Sequence, residues 1–103
     1  MILEVARLDV IPGREDEFLA VFAEARQHIE VTPGFLGLDL KRCVDEGSTH
    51  RFLLLVEWDS VEAHTVGFRG SDRYHRWREL LHHFYDPFPV VEHYGDLAAP
   101  SEA

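Results

Sequence analysis

Two apolar runs and the polar turn between them decide the fold: FLGLDLKRCVDEGSTHRFLLLVEW, residues 35 to 58. The runs Phe35–Val44 and Arg51–Trp58 are rich in aliphatic residues, as strands are. The segment Asp45–Ser48 between them consists of turn formers and includes a glycine, which adopts positive φ without steric cost. The stretch therefore predicts a β-hairpin.

A strand and a helix precede this hairpin. Ile2–Ile11 is dense in β-branched and aliphatic residues and predicts a strand that ends before a Pro-Gly turn. From Glu15 the apolar residues recur at the spacing of one helical face, with acidic residues in the first turn. This helix has to end before Pro33, because the residue preceding a proline is disfavoured in the α region. The apolar face consists of Phe18, Val21, Phe22, Ala25 and Ile29.

Two helical stretches and a strand follow the hairpin. Asp59 or Ser60 offers an N-cap for the first stretch, which Gly67 and Gly70 interrupt. Ser71 caps the second stretch, and the prolines of the sequence DPFP, residues 86 to 89, end it. We expect a last strand over residues 90–94. The apolar positions of the two stretches are Val61, His64, Thr65 and Phe68, and then Tyr74, Trp77, Leu81 and Phe84.

The predicted element order is βαββαβ, which is that of the α+β ferredoxin-like fold. This fold is a four-stranded antiparallel sheet with both helices on one face. We expect one domain over residues 1–96 and a frayed tail over residues 97–103, since the tail is small and polar.

Composition excludes several classes of protein. At 103 residues and 11.9 kDa the chain holds one core, and its formal charge of −9 repels nucleic acid. No apolar run approaches the roughly 20 residues that cross a bilayer. We expect no secretory leader, since the residues before the acidic Glu4 are not a basic segment followed by an apolar one. Cys43 is the single cysteine, so no internal disulfide forms. We therefore expect a cytoplasmic protein that binds neither membrane nor nucleic acid.

The second face of the predicted sheet is too apolar for water and too charged for a dry core. In the first three strands the even positions are nearly all apolar, and we assign them, Leu36 included, to the helix side. The odd positions mix charged residues with Leu3, Val5, Phe35, Leu53 and Leu55. Burying three such side chains contributes several kcal/mol at about 25 cal/mol per Å². We expect a homodimer with the two sheets packed face to face.

Two polar residues stand at positions predicted to face the core. His64 lies on the inward helical stripe with Val61 and Phe68, and is either a core histidine with a satisfied hydrogen bond or the base of a pocket. Glu4 has the helix-facing parity of the first strand, so its carboxylate is either paired structurally, with Arg42 or a histidine, or lines a polar pocket.

Other chemical groups carry weaker signals. His75, Glu79 and His83 have the spacing of helical metal ligands, but the apolar stripe lies elsewhere, so we expect these residues and His82 to face water. Between sheet and helices, converging aromatic residues predict either a packed core or a cavity for a flat molecule. They are Phe18, Phe22, Phe52, Trp58, Phe68, Tyr74, Trp77 and Phe84.

Four segments together resemble the antibiotic biosynthesis monooxygenase (ABM) family: PGREDEF (12–18), PGFLG (33–37), VEWDSVEAH (56–64) and FRGS (68–71). The resemblance covers the chain from Ile2 to about Tyr94. It implies the dimeric α/β barrel, in which two ferredoxin-like sheets associate. It also implies a monooxygenase that oxidises quinol, phenolic or polycyclic aromatic molecules with molecular oxygen and without metal or flavin cofactor.

Carried onto this chain, the resemblance implies a general base, His64, in an aromatic cavity. The cavity walls would be Trp58, Phe68, Tyr74 and Trp77, with Tyr74 or Arg69 donating to the anionic substrate and Glu4 contributing a polar group. Haem-degrading members have an axial histidine near Arg78 and a catalytic asparagine near Arg7; neither residue matches, so haem degradation is not carried over. A small-molecule binding module and a fully packed structural dimer stay open as alternatives.

Overall fold

The structure is a computed structural model that describes residues 1–97. Residues 98–103 of the predicted tail lie outside the described residues. The strands are β1 (Ile2–Asp9), β2 (Phe35–Arg42), β3 (Arg51–Trp58) and β4 (Val91–Gly95). The helices are α1 (Glu15–Glu30) and α2 (Asp72–Leu81), with a π-helix (Ala63–Phe68) before α2 and a 3-10 turn (His82–Phe84) after it.

The four strands form one sheet in the order β2-β3-β1-β4, with each neighbouring pair antiparallel. The even-numbered residues of β1 from Glu4 onward and those of β3 are buried beneath the helices, as the alternation predicted. The predicted ferredoxin-like α+β fold is confirmed. Since β4 pairs only with β1, one edge of the sheet is the short strand β4.

The core lies between this sheet and the helices. Phe18 of α1 is fully buried, with its ring 5.0 Å from that of Phe52 and 5.8 Å from that of Phe84. The two helices meet through Phe22 and Trp77, whose rings lie edge to face at 5.8 Å. Burial of such side chains contributes about 1.5–3 kcal/mol each, so the core also fixes where α2 sits over the sheet.

A β-bulge at the start of β2 changes the predicted facing of two residues. Phe35 pairs with Trp58 and Gly37 with Glu57, so Leu36 is the extra residue and is 52% exposed. The assignment of Leu36 to the helix side and of Phe35 to the other face is therefore wrong. The ring of Phe35 instead meets Trp58 edge to face at 5.9 Å. A bulge inserts one residue and so reverses the alternation up to that point.

The first helical stretch after the hairpin is a π-helix rather than an α-helix. The Ser60 hydroxyl accepts from the Ala63 N–H at 3.1 Å, which confirms the predicted N-cap. Arg69 N–H donates five residues back to the His64 carbonyl at 3.0 Å. In residues 1–97, no helix has the length and apolarity needed to traverse a bilayer.

Candidate functional site

A cavity of about 340 Å³ opens between the sheet and α2. Residues from β1, the π-helix, α2, the 3-10 turn and the segment before β4 contribute to its wall. The wall consists of Glu4, Ala6, Leu8, Ile29, Leu54, His64, Phe68, Arg69, Tyr74, Trp77, His82, Tyr85, Phe88, Pro89 and Val91. Six of the seven predicted site residues line it, and Trp58 does not.

Trp58 has a different position from the one predicted. It is fully buried at the end of β3, and its Nε1–H donates to Glu4 Oε1 at 2.9 Å. Glu4 is 5% exposed and faces the cavity from β1. Burial raises the pKa of the Glu4 carboxyl, although the Trp58 hydrogen bond and the positive charge of Arg69 act in the opposite direction. Trp58 therefore holds the carboxyl group from behind and does not itself line the cavity.

His64 lies on the π-helix with its ring stacked on Trp58, the centroids 5.4 Å apart and the planes inclined at 20°. Its Nε2 is 3.4 Å from Glu4 Oε1, and its Nδ1 is 2.7 Å from His93 Nε2. Burial, together with the positive charge of Arg69 and the neighbouring His93, lowers the pKa of His64 to about 3. The imidazole is consequently neutral at physiological pH.

His93 is a site residue that the sequence analysis did not identify. It lies on β4 directly opposite Glu4 in the β1–β4 register, so both side chains project from the same face. The only signal in the sequence was its place within the predicted last strand. Parity alone could not align it with Glu4, because the register of the two strands was unknown.

Three aromatic residues form the helix side of the cavity, as predicted. Phe68 meets Tyr74 edge to face at 5.5 Å and Trp77 at 5.9 Å. The position of Tyr74 is fixed in part by Ser71, whose hydroxyl caps α2 by accepting from the Tyr74 N–H at 3.4 Å. The aromatic wall is thus held by ring packing and by the helix cap together.

His82 lines the cavity, contrary to the expectation that it faces water. Helix α2 ends at Leu81, and the 3-10 turn that follows rotates His82 inward. Its ring lies edge to face with Tyr74 at 6.0 Å and with Phe88 at 5.0 Å. Burial lowers the pKa of His82 to about 4, with the charges of Arg78 and Arg69 adding to the effect.

Arg69 provides the positive charge of the cavity wall. It is exposed at the cavity wall and takes part in no ion pair among residues 1–97. Because His64 and His82 are neutral, Arg69 is the lining group that carries a fixed positive charge. An anionic oxygen on a ligand would find its partner there.

The other histidine cluster stays on the solvent side. His75 contacts Arg78 at 3.4 Å and Glu79 pairs with Arg76 at 3.5 Å, both on the exposed face of α2. Within residues 1–97, no three His, Cys, Asp or Glu side chains are grouped so as to hold a metal ion.

Residues 1–80 match the family described as antibiotic biosynthesis monooxygenase. The uncharacterized protein YczJ of Bacillus subtilis is 46% identical over 97 residues, which cover 94% of this chain and 100% of YczJ.

Solved structures show the same fold. A Bordetella bronchiseptica protein assigned to the antibiotic biosynthesis monooxygenases is 34% identical, with a TM-score of 0.86 over 94% of this chain and 97% of that one. A Streptomyces coelicolor monooxygenase from the gene ActVA-Orf6, in complex with nanaomycin D, is 20% identical, with a TM-score of 0.77 over 95% and 88% of the two chains.

Proposed function

The chain belongs to the antibiotic biosynthesis monooxygenase family, and we propose that it is a cofactor-independent monooxygenase of a phenolic, quinol or polycyclic aromatic molecule. The observation that carries this proposal is a neutral, buried imidazole, His64, on the wall of an aromatic cavity. The Streptomyces neighbour was solved in complex with nanaomycin D, which supports small-molecule binding by this fold.

The proposed chemistry begins with a proton transfer. Molecular oxygen is a triplet and reacts slowly with closed-shell molecules, so the substrate first has to become electron-rich. His64 Nε2 removes the phenolic proton, and the electron pair of the broken O–H bond stays on the phenolate oxygen. One atom of O₂ then replaces the two hydrogens of an activated ring carbon. The other atom of O₂ leaves with these hydrogens as water: R₂CH₂ + O₂ gives R₂C=O + H₂O.

The rest of the cavity would stabilise the anion and hold the substrate ring. Arg69 and the Tyr74 hydroxyl are the donors that would stabilise the phenolate oxygen. Phe68 and Trp77 present ring surfaces to a flat substrate. A volume of about 340 Å³ suits a small aromatic molecule, whose binding would displace water from around the reacting ring.

Oxygen uptake with a panel of hydroquinones and anthrones tests this function. We expect the wild-type protein to consume oxygen with at least one of them, and His64→Ala to lower kcat/KM by about 10²–10⁴-fold. His75→Ala, on the exposed face of α2, is the matched control and should leave the rate unchanged. Oxygen uptake that is absent from the wild type, or unaffected in His64→Ala, contradicts the proposal.

One observation favours a binding module as the second candidate. Both nitrogens of His64 already have protein neighbours, His93 at 2.7 Å and Glu4 at 3.4 Å. A binding module would raise its melting temperature with an aromatic ligand and consume no oxygen, whereas a fully packed dimer would show neither effect.

A further inference from the structure

The two nitrogens of His64 have unequal partners. Nδ1 is 2.7 Å from His93 Nε2, a short hydrogen bond, and the two rings share a single hydrogen there when both are neutral. Nε2 is 3.4 Å from Glu4 Oε1, which is longer than an ordinary N–H···O bond. Nε2 is therefore the nitrogen available to a ligand in the cavity.

The direction of the hydrogen bond between the two rings decides what Nε2 can do. If His64 donates from Nδ1–H, its Nε2 carries a lone pair and is a base. If His93 donates from Nε2–H, His64 carries its hydrogen on Nε2 and is a donor instead. His93 thus sets the tautomer of His64.

The surroundings of His64 disfavour its protonated, charged form. It is 3% exposed and stacked on Trp58, and the titratable or charged groups that face it are Arg69 at the cavity wall, Glu4 on β1 and His93 on β4. Burial and the charge of Arg69 disfavour an imidazolium at this position, and the carboxyl group of the buried Glu4 is the acidic group beside it. A base in such surroundings works well only if it passes the proton on.

We propose that His93 is a positioning residue that accepts this proton, so that His64 and His93 form a two-ring relay from the cavity to the β4 edge of the sheet. The inference rests on the proposed function. The phenol O–H bond breaks and an Nε2–H bond forms on His64, while the Nδ1–H bond of His64 breaks and an N–H bond forms at His93 Nε2. His64 remains neutral throughout, and His93 becomes the imidazolium.

The position of His93 suits that role. It is half-buried on an edge strand, with Glu92 and Tyr94 beside it in sequence on the opposite, exposed face. The half-buried His93 therefore gives the far end of the relay access to solvent, whereas the ring of His64 is enclosed by Trp58 and Phe68. The proton taken from the substrate leaves for solvent without crossing the cavity.

Imidazole NMR tests the relay without turnover. The probe is 4-nitrophenol, whose phenolate absorbs visible light and which resists oxidation. In ¹⁵N-histidine-labelled protein we expect His64 to carry its hydrogen on Nδ1 when free, and on Nε2 when nitrophenol is bound. In the complex His93 should be protonated on both nitrogens and the phenolate band should appear.

Variants of His93 separate a relay from a merely structural contact. His93→Phe should bind nitrophenol within about threefold of wild type, yet form at least tenfold less phenolate at the same pH. With a substrate that the wild type oxidises, His93→Ala should lower kcat by about 100-fold with little change in KM. Added imidazole should restore kcat. His75→Ala is the control for both measurements.

The outcomes of the two proposals are distinct. A wild-type protein that consumes no oxygen contradicts the oxygenase, and the nitrophenol measurements still decide the relay. The relay is overturned if bound nitrophenol leaves His93 neutral, if His93→Phe forms as much phenolate as wild type, or if His93→Ala keeps its kcat.

Discussion

Glu4 is a carboxyl group whose burial opposes its ionisation. The pKa of Glu4 is raised in the folded protein, so between the ordinary glutamate value of 4.5 and the raised value the native state binds more protons than the unfolded one. Its contribution to stability is present at low pH and is lost as the pH rises through this window. Glu4→Gln keeps an acceptor for Trp58 Nε1–H and removes the charge.

We therefore predict that Glu4→Gln unfolds at a higher temperature than wild type at pH 7, with the difference vanishing near pH 4. Thermal melts followed by circular dichroism across this range measure it. Glu79→Gln, which removes an exposed carboxylate, is the control and should not change the pH dependence. A Glu4→Gln variant that is less stable than wild type at pH 7 would show that the ionised carboxylate is stabilising.

His64 gives a pH dependence of the opposite sign. Its pKa is lowered from 6.5 to about 3, so between these values the unfolded state binds the proton and the folded state does not. Stability is lost as the pH falls through this window, by up to about 1.4 kcal/mol per pH unit from this group.

His64→Gln should flatten the acid limb of stability measured by urea denaturation between pH 6 and pH 4. The matched control is His75→Gln, in which the replaced imidazole is exposed. An acid limb of equal slope in wild type and His64→Gln would contradict a neutral, buried His64.

At the scale of elements, the start of β2 is held to the start of the π-helix segment by Gly34. Gly34 has φ +89°, and its carbonyl accepts from the Asp59 N–H at 2.9 Å. A Cβ there would lie 2.7 Å from both the Ala63 Cβ and the Asp59 Oδ1. Gly47, in the hairpin loop, has φ +82° with open space around it.

We predict that Gly34→Ala costs about 2–4 kcal/mol, because steric overlap adds to the left-handed backbone penalty. Gly47→Ala should cost only about 1–2 kcal/mol, the backbone penalty alone. Urea denaturation of the two variants measures the difference, and equal losses would show that the contact with Ala63 and Asp59 relaxes freely.

The sequence predicted the elements of this fold better than their local irregularities. The period of α1 and the alternation in β1 and β3 come from burial on one face, which leaves a direct pattern in the residues. The bulge at Leu36 and the π-helix at Ala63–Phe68 each insert one residue. Such insertions depend on tertiary packing, for example the packing of Phe35 on Trp58. They leave no periodic signal of their own in the sequence.

The site was predictable only where it depended on one element. Glu4 and His64 were visible as polar residues at apolar positions. The partners Trp58 and His93 reach them through strand register, and His82 through the turn that follows α2. These depend on how elements meet, which a single sequence does not specify.

At the scale of the whole molecule, the sheet face away from the helices keeps the mixed character that the sequence showed. Leu3, Val5, Leu53 and Leu55 are half-buried there, and a groove of about 430 Å³ runs over Val5 and Leu53. Phe88 and Pro89 border both this groove and the cavity on the other side. Anything that packs into the groove therefore also presses on a wall of the candidate site.

We predict that a second copy of the chain covers this face, since apolar burial on both sheets and pairing of Arg7 and Asp9 with their symmetry mates fit a two-fold contact. Light scattering after size exclusion should give twice the 11.9 kDa of one chain at micromolar concentration. Leu53→Asp should raise the dimer Kd by at least about 100-fold, because an unpaired buried carboxylate costs several kcal/mol. Val44 is 89% exposed beyond β2, so Val44→Asp should leave the dimer intact. A wild-type protein that is a monomer would contradict the contact itself.

Because the groove and the cavity share Phe88, Leu53→Asp should also weaken the binding of aromatic ligands. Its circular dichroism spectrum should stay that of a folded chain.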